Sequence, residues 1–124
     1  MMDGHVDGRG RALIEICLVS DDDSTPLEVW IDTGFTGQLL VPRDEIERLG
    51  LCKASGTHAR MADGSTAYLE TFEATLDWFG ERIAIEVIEG KGEFPLLGVI
   101  PLLGCRLVVD YGHMTVSIER TGSE

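Results

Sequence analysis

Val29-Trp30-Ile31-Asp32-Thr33-Gly34-Phe35-Thr36-Gly37 decides how the rest of the chain is read. Three apolar residues lead to one carboxylate, and Thr-Gly follows at once, so a buried strand should break at Asp32 into a turn that glycine permits. Leu39-Leu40-Val41 returns to an apolar run. Asp32 therefore lies at the base of a loop flanked by two buried strands, a setting that an ordinary surface aspartate does not need. By itself, Asp-Thr-Gly is also plain turn chemistry, because Asp accepts backbone N–H bonds and Gly supplies positive φ. The apolar flanks and a later stretch, Phe94-Pro95-Leu96-Leu97-Gly98-Val99-Ile100-Pro101-Leu102-Leu103-Gly104, move the reading away from that.

Outward from this stretch, the chain reads as strands. Met1 to Gly10 is polar and glycine-rich, the composition of a loose arm. Ala12 to Val19 is a nearly unbroken apolar strand, and Asp21-Asp22-Asp23-Ser24-Thr25-Pro26 is a hairpin loop before the strand Leu27 to Ile31. The three acids are at best a weak calcium motif, since the alternating ligands, central Gly and distal Glu of an EF-hand are missing. Gln38 to Val41 is the return strand, and Pro42 to Gly50 a short helix with Pro in its first turn, acids near its N-terminus and Gly50 as its stop. His58 to Leu69 is a hairpin centred on Asp63-Gly64. Strands Thr71 to Phe79 and Ile83 to Ile88 follow, with a turn at Gly80-Glu81 between them. Gly90-Lys91-Gly92 opens a loop, Pro101 permits only a brief helical turn, and Leu107 to Asp110 with Met114 to Ile118 make the last hairpin. The sum is an all-β chain with one short helix, in which turn-separated short strands favour a small closed or partly closed barrel over a sandwich, although strand count alone does not separate the two.

Composition bounds the function. A chain of 124 residues is one domain that buries roughly two-thirds of its unfolded surface. With 22 acidic against 10 basic residues, the net charge of −12 repels nucleic acid and anionic membranes. Cys17, Cys52 and Cys105 are odd in number and lack C-x-x-C spacing, so neither a disulfide framework nor a zinc site is indicated. No apolar run has signal-peptide or membrane-spanning character, which makes a reduced cytoplasmic setting the default. His5, His58 and His113 are scattered, and none has a Ser or Cys neighbour that would suggest a nucleophilic triad.

From about Ala12 to Ile118, Ile31-Asp32-Thr33-Gly34, the Asp63-Gly64 hairpin and Leu96-Leu97-Gly98 occur in the order found in the retropepsin-like aspartic proteases (clan AA). The chain resembles this single-domain family related to retroviral proteases. The resemblance implies the acid-protease barrel over residues 11–119, between an N-terminal arm (1–10) and a C-terminal tail (120–124). It implies an endopeptidase that hydrolyses peptide or unfolded polypeptide substrates, needing no metal or other cofactor. Asp32, Thr33 and Gly34 would be catalytic. Phe35 and the flap residues Ala62, Asp63, Gly64 and Ser65 would line the substrate cleft, and Leu96, Leu97 and Gly98 would close the loop around the catalytic strand. Phe35 is a departure, standing where the family carries Ala or Ser, and a ring there would narrow the cleft.

The aspartic route needs two carboxylates on one water, one ionised to accept its proton and one protonated to donate to the carbonyl oxygen. The chain has one Asp-Thr-Gly, so a homodimer would supply the second Asp32 across a two-fold axis. Asp63, Asp77 and Asp110 are the rivals as a second acid within one chain, and each reads as a turn or surface acid. Two other readings stay open: a catalytically silent dimer that binds peptide segments, motivated by Phe35, and a monomeric β-domain whose Asp-Thr-Gly is only a turn.

Overall fold

Leu27, Val29 and Ile31 are buried while Glu28 and Trp30 are exposed, the two-residue period of a strand with one face on a core. In the computed structural model, which describes residues 1–21, 23–54 and 56–122, that strand is β3. In chain order the strands are β1 (Met2–Val6), β2 (Ala12–Ser20), β3 (Asp23–Ile31), β4 (Leu39–Pro42), β5 (Cys52–Lys53), β6 (Thr57–Arg60), β7 (Thr66–Leu69), β8 (Thr71–Trp78), β9 (Glu81–Gly90), β10 (Leu96–Leu97), β11 (Cys105–Asp110) and β12 (Thr115–Arg120). The helix α1 (Arg43–Leu49) and a 3-10 turn at Ile100–Leu102 complete the fold.

Ten strands form one sheet, ordered β11-β12-β1-β2-β3-β10-β4-β9-β8-β5. β2 closes it partly into a ring. Its first residues, Ala12 and Leu13, pair with β1, and further along it Cys17, Leu18 and Val19 pair with β8. The ring encloses a core that includes Val29, Leu39, Val41, Leu76, Val87, Leu97 and Ile118, all fully buried. The architecture is thus the all-β, partly closed barrel with one short helix that the sequence implies. β6 and β7 stand apart as a two-stranded hairpin.

The strands with strong apolar runs lie where the sequence puts them, and the differences have physical causes. The segment read as a loose arm is β1, paired on both edges: His5 and Val6 with β2, and Met2 to His5 with β12. Those ladders are made by backbone groups, which polar residues supply as well as apolar ones. Gly4 permits the contact, because a Cβ there would lie 2.1 Å from the Leu13 carbonyl oxygen.

The 21–26 loop is also shorter than its composition implies. Asp21 turns with φ 51°, and β3 already begins at Asp23. Asp22 of the acidic cluster lies outside the described residues. Pro26 is tolerated within β3 because β10 reaches only Trp30 and Ile31, leaving the Pro26 edge without a ladder partner among the described residues. Pro42 is the N-cap of α1 rather than part of its first turn, and Gly50 ends the helix at φ 65°. The β8–β9 turn sits at Phe79-Gly80, one residue earlier than the sequence suggests, with both φ values positive as a two-residue hairpin requires. Arg120 belongs to β12 rather than to a tail, and Thr121 and Gly122 donate to the Gly104 carbonyl; Ser123 and Glu124 lie outside the described residues. No helix among the described residues is long and apolar enough to cross a membrane.

Candidate active site

β10 is only two residues long, yet it is inserted between β3, to which it runs parallel, and β4, to which it is antiparallel. The loop joining β3 to β4 must therefore pass around it. Backbone bonds fix that passage at both ends: Trp30 N–H to Pro95 O (2.9 Å), Asp32 N–H to Leu97 O (2.9 Å), Gly98 N–H to Gln38 O (2.9 Å), Val99 N–H to Phe35 O (2.9 Å) and Ile100 N–H to Gly37 O (3.2 Å). Leu97 is fully buried beneath, so the loop rests on the core. In this way Asp32 to Phe35 and Leu96 to Gly98 are brought together.

The Asp32 carboxylate is half-buried at the loop's start. Its Oδ1 accepts the Gly34 N–H at 2.9 Å, which fixes one oxygen and leaves the other free of hydrogen bonds among the described residues. Thr33 and Gly34 are exposed, and the Thr33 hydroxyl makes no hydrogen bond among those residues. Phe35 is half-buried, with its ring over two glycines. A Cβ on Gly37 would lie 2.5 Å from that ring, and one on Gly98 would lie 2.8 Å from the ring and 2.3 Å from the Gly37 carbonyl oxygen. Both glycines are needed for this packing.

Four residues that sequence reasoning missed support the loop or flank its strand. Gly37 makes room for Phe35. Gln38 accepts from Gly98 through its backbone and from the Glu86 N–H through Oε1 at 2.7 Å, tying the loop to β9. Arg11 lies two residues before Leu13, the partner of Trp30, and its guanidinium sits 5.7 Å from the Trp30 ring centre and 4.7 Å from that of Phe94. Asp7 holds Arg11 there, with Oδ2 2.7 Å from Nε. The Arg11 N–H is the largest of the contacts that hold the Asp7 carboxyl below the usual range. Strand register brings these groups together, so no local pattern announces them; for Gly37, the Phe-x-Gly spacing was the available signal.

The expected flap is the β6–β7 hairpin, with Ala62, Asp63, Gly64 and Ser65 exposed at its tip. Asp63 Oδ1 accepts the Ser65 hydroxyl (2.6 Å) and N–H (2.9 Å), and the hydroxyl contributes most to keeping this carboxyl below its ordinary value. Gly64 turns with φ 90°. No hydrogen bond among the described residues joins this tip to the Asp32 loop.

Asp77 Oδ1 accepts the Gly80 N–H at 3.0 Å, and Asp110 accepts the His113 N–H at 3.0 Å, with its other oxygen 2.8 Å from Nδ1 of the same ring. These two rivals, like Asp63, are engaged in their own turns. No hydrogen bond or ion pair among the described residues links Asp32 to another side chain, and no cluster of three His, Cys, Asp or Glu suited to a metal occurs among them.

The sequence matches no family profile and no curated protein. Among solved structures it is similar to a retropepsin-like aspartic protease from Rickettsia conorii, at 13% identity over 93% of this chain and 86% of that one, with a TM-score of 0.66. A looser match, at 15% identity over 89% and 96% of the two chains and a TM-score of 0.45, is to the retroviral protease-like domain of Ddi1 from Leishmania major. With an Asp-Thr-Gly loop wrapped around a two-residue strand and the first of these overlays spanning most of both molecules, the chain has the retropepsin-like aspartic-protease fold.

Proposed function

We propose that the protein is an aspartic endopeptidase that hydrolyses extended polypeptide segments as a homodimer. One observation carries the reading. The Asp32 carboxylate is presented at the head of a loop locked by β10, and the other candidate acids of its own chain are held in turns elsewhere.

Two such carboxylates facing one water cannot both be ionised, so they share a proton and act as a unit. Asp32 of one subunit takes the proton of the attacking water, and Asp32 of the other gives its proton to the peptide carbonyl oxygen. The Gly34 N–H orients each carboxylate, and the Thr33 hydroxyl is available to bond across the axis. The Ala62 to Ser65 tip would close over the substrate, whose N–H and C=O groups need partners in a dry cleft. The position of the Phe35 ring supports turnover over simple binding, since the loop's own glycines take up its bulk.

An unfolded polypeptide incubated with the protein between pH 4 and 7 tests this. Wild type should cleave it, and Asp32→Asn should lower the rate by roughly 10²–10⁴-fold, the usual contribution of a general acid–base group. Identical product patterns from the two proteins overturn the reading. Peptide binding without turnover, unchanged by Asp32→Asn, would instead support the silent dimer.

A further inference from the structure

β9 is paired with β8 over residues 81–88, but β4 reaches it only over residues 87–90. The other edge of β9 before Val87 therefore has no described strand beside it. Gln38 shows which groups that edge offers. Its Oε1 takes the Glu86 N–H at 2.7 Å, so the Glu86 backbone faces away from β8. In an antiparallel ladder the groups facing one side recur at alternate residues, so the N–H and C=O of Ala84 and Arg82 point the same way as that N–H. These groups have no hydrogen-bond partner among the described residues, and both residues are exposed. A cavity lies on each side of this edge, and Gln38, Ala84 and Ile85 line both. One, of about 600 Å³, has Ile83, Ile100, Pro101 and Leu103 in its wall, with Ile100 42% and Leu103 67% exposed. The charges in that wall, Glu81 and Arg120, pair with each other. The other, of about 560 Å³, is lined by Asp21, Glu73 and Glu86 and by no lysine or arginine. Glu73 stands directly opposite Glu86 in the β8–β9 ladder, where like charges repel, and none of the three acids has an ion pair among the described residues.

We propose that the 82–86 edge of β9 is a polypeptide-binding site separate from the Asp32 loop, taking an extended segment as an added strand, apolar on one face and carrying lysine or arginine on the other. The free backbone groups choose the form of the partner. An extended chain brings N–H and C=O groups to Arg82 and Ala84, whereas a helix has bonded its own internally. The two cavities choose the side chains. Because successive residues of a strand point to opposite faces, apolar side chains enter beside Ile83 and Leu103 while basic ones meet Glu73, Glu86 and Asp21. Arg82 does not disturb this arrangement, since Asp77 stands opposite it in the ladder. The field of the whole molecule acts in the same direction, because a chain of net charge −12 draws basic segments and repels acidic ones. Gln38 bounds the site at its upper end, and its carbonyl, which accepts the Gly98 N–H, connects this edge to the Asp32 loop.

The test is binding of a short capped peptide of alternating valine and lysine, read by fluorescence anisotropy, to the full chain carrying Asp32→Asn so that the probe is not cut. Ala84→Pro removes an edge N–H and leaves the ladder to β8 intact, as Pro26 leaves the ladder of β3 to β2, and circular dichroism checks that the fold is kept. It should weaken binding about tenfold, the worth of roughly one to two hydrogen bonds. Changing Glu73 and Glu86 together to Gln should weaken it several-fold and flatten its dependence on salt. With no change at the edge, the bound peptide should slow amide exchange at Arg82 and Ala84, as nuclear magnetic resonance can read. Unchanged affinity in folded Ala84→Pro, or amides left unprotected, overturns the site. Equal binding of a peptide of alternating valine and glutamate overturns its preference for basic segments. If Ala84→Pro weakens self-association and not peptide binding, the edge takes a second copy and the proposal falls. Because the probe is bound by a chain without the Asp32 carboxylate, failure of the hydrolytic reading leaves this result as it is.

Discussion

At Gly98 a single hydrogen stands where any side chain would collide with the Gly37 carbonyl oxygen at 2.3 Å and the Phe35 ring at 2.8 Å. Gly98→Ala should therefore push the Asp32 loop off β10. We expect a loss of about 1–3 kcal/mol in urea unfolding, the usual cost of overpacking, with a larger proportional loss of peptide cleavage because the displaced loop carries the acid. The place of Asp32, Thr33, Gly34 and Gly98 in one loop was legible in the sequence because it is set locally: an acid between apolar runs, and glycine where a chain must pass closely. Arg11 was not. Its neighbours Trp30 and Phe94 reach it through strand register and a distant loop, and nothing adjacent to Arg11 in the chain signals either.

Among elements, the β6–β7 hairpin depends on its tip. Asp63 binds the Ser65 hydroxyl and N–H, and the carboxyl titrates below its ordinary value in consequence. A lowered acid stabilises the turn fully above the ordinary aspartate value and loses that contribution as pH falls through the lowered one. The tip should thus stay ordered across pH 4–7 and loosen only in stronger acid. Asp63→Ala should speed amide exchange at Ser65 at pH 6 without altering exchange in β8 or β9, as hydrogen-exchange mass spectrometry can read. Elements marked by apolar period or by Asp-Gly were legible. β1 was not, because its ladders require only backbone groups and a glycine thin enough at position 4 to approach β2.

For the whole molecule, the sequence left barrel and sandwich hard to separate by strand count. Closure depends on one strand, β2, sharing itself between β1 and β8, and no local pattern records that division. Net charge was legible throughout, and it would oppose the homodimer proposed above. Two copies at −12 repel each other, so raising salt from 50 to 500 mM should tighten self-association several-fold by screening, as sedimentation equilibrium across that range would detect. Weaker association at high salt would mean that attractive contacts dominate the field.

The bond from Asp32 N–H to Leu97 O spans more than half the chain, and β10 joins the sheet through both β3 and β4. An emerging polypeptide on the ribosome thus holds its acid motif long before the segment that shapes it exists. Such non-local closure is slow and comes late. The Asp32 loop consequently cannot take its folded course until Pro95 to Gly98 have been made, so the order of synthesis sets the order in which this part of the fold closes.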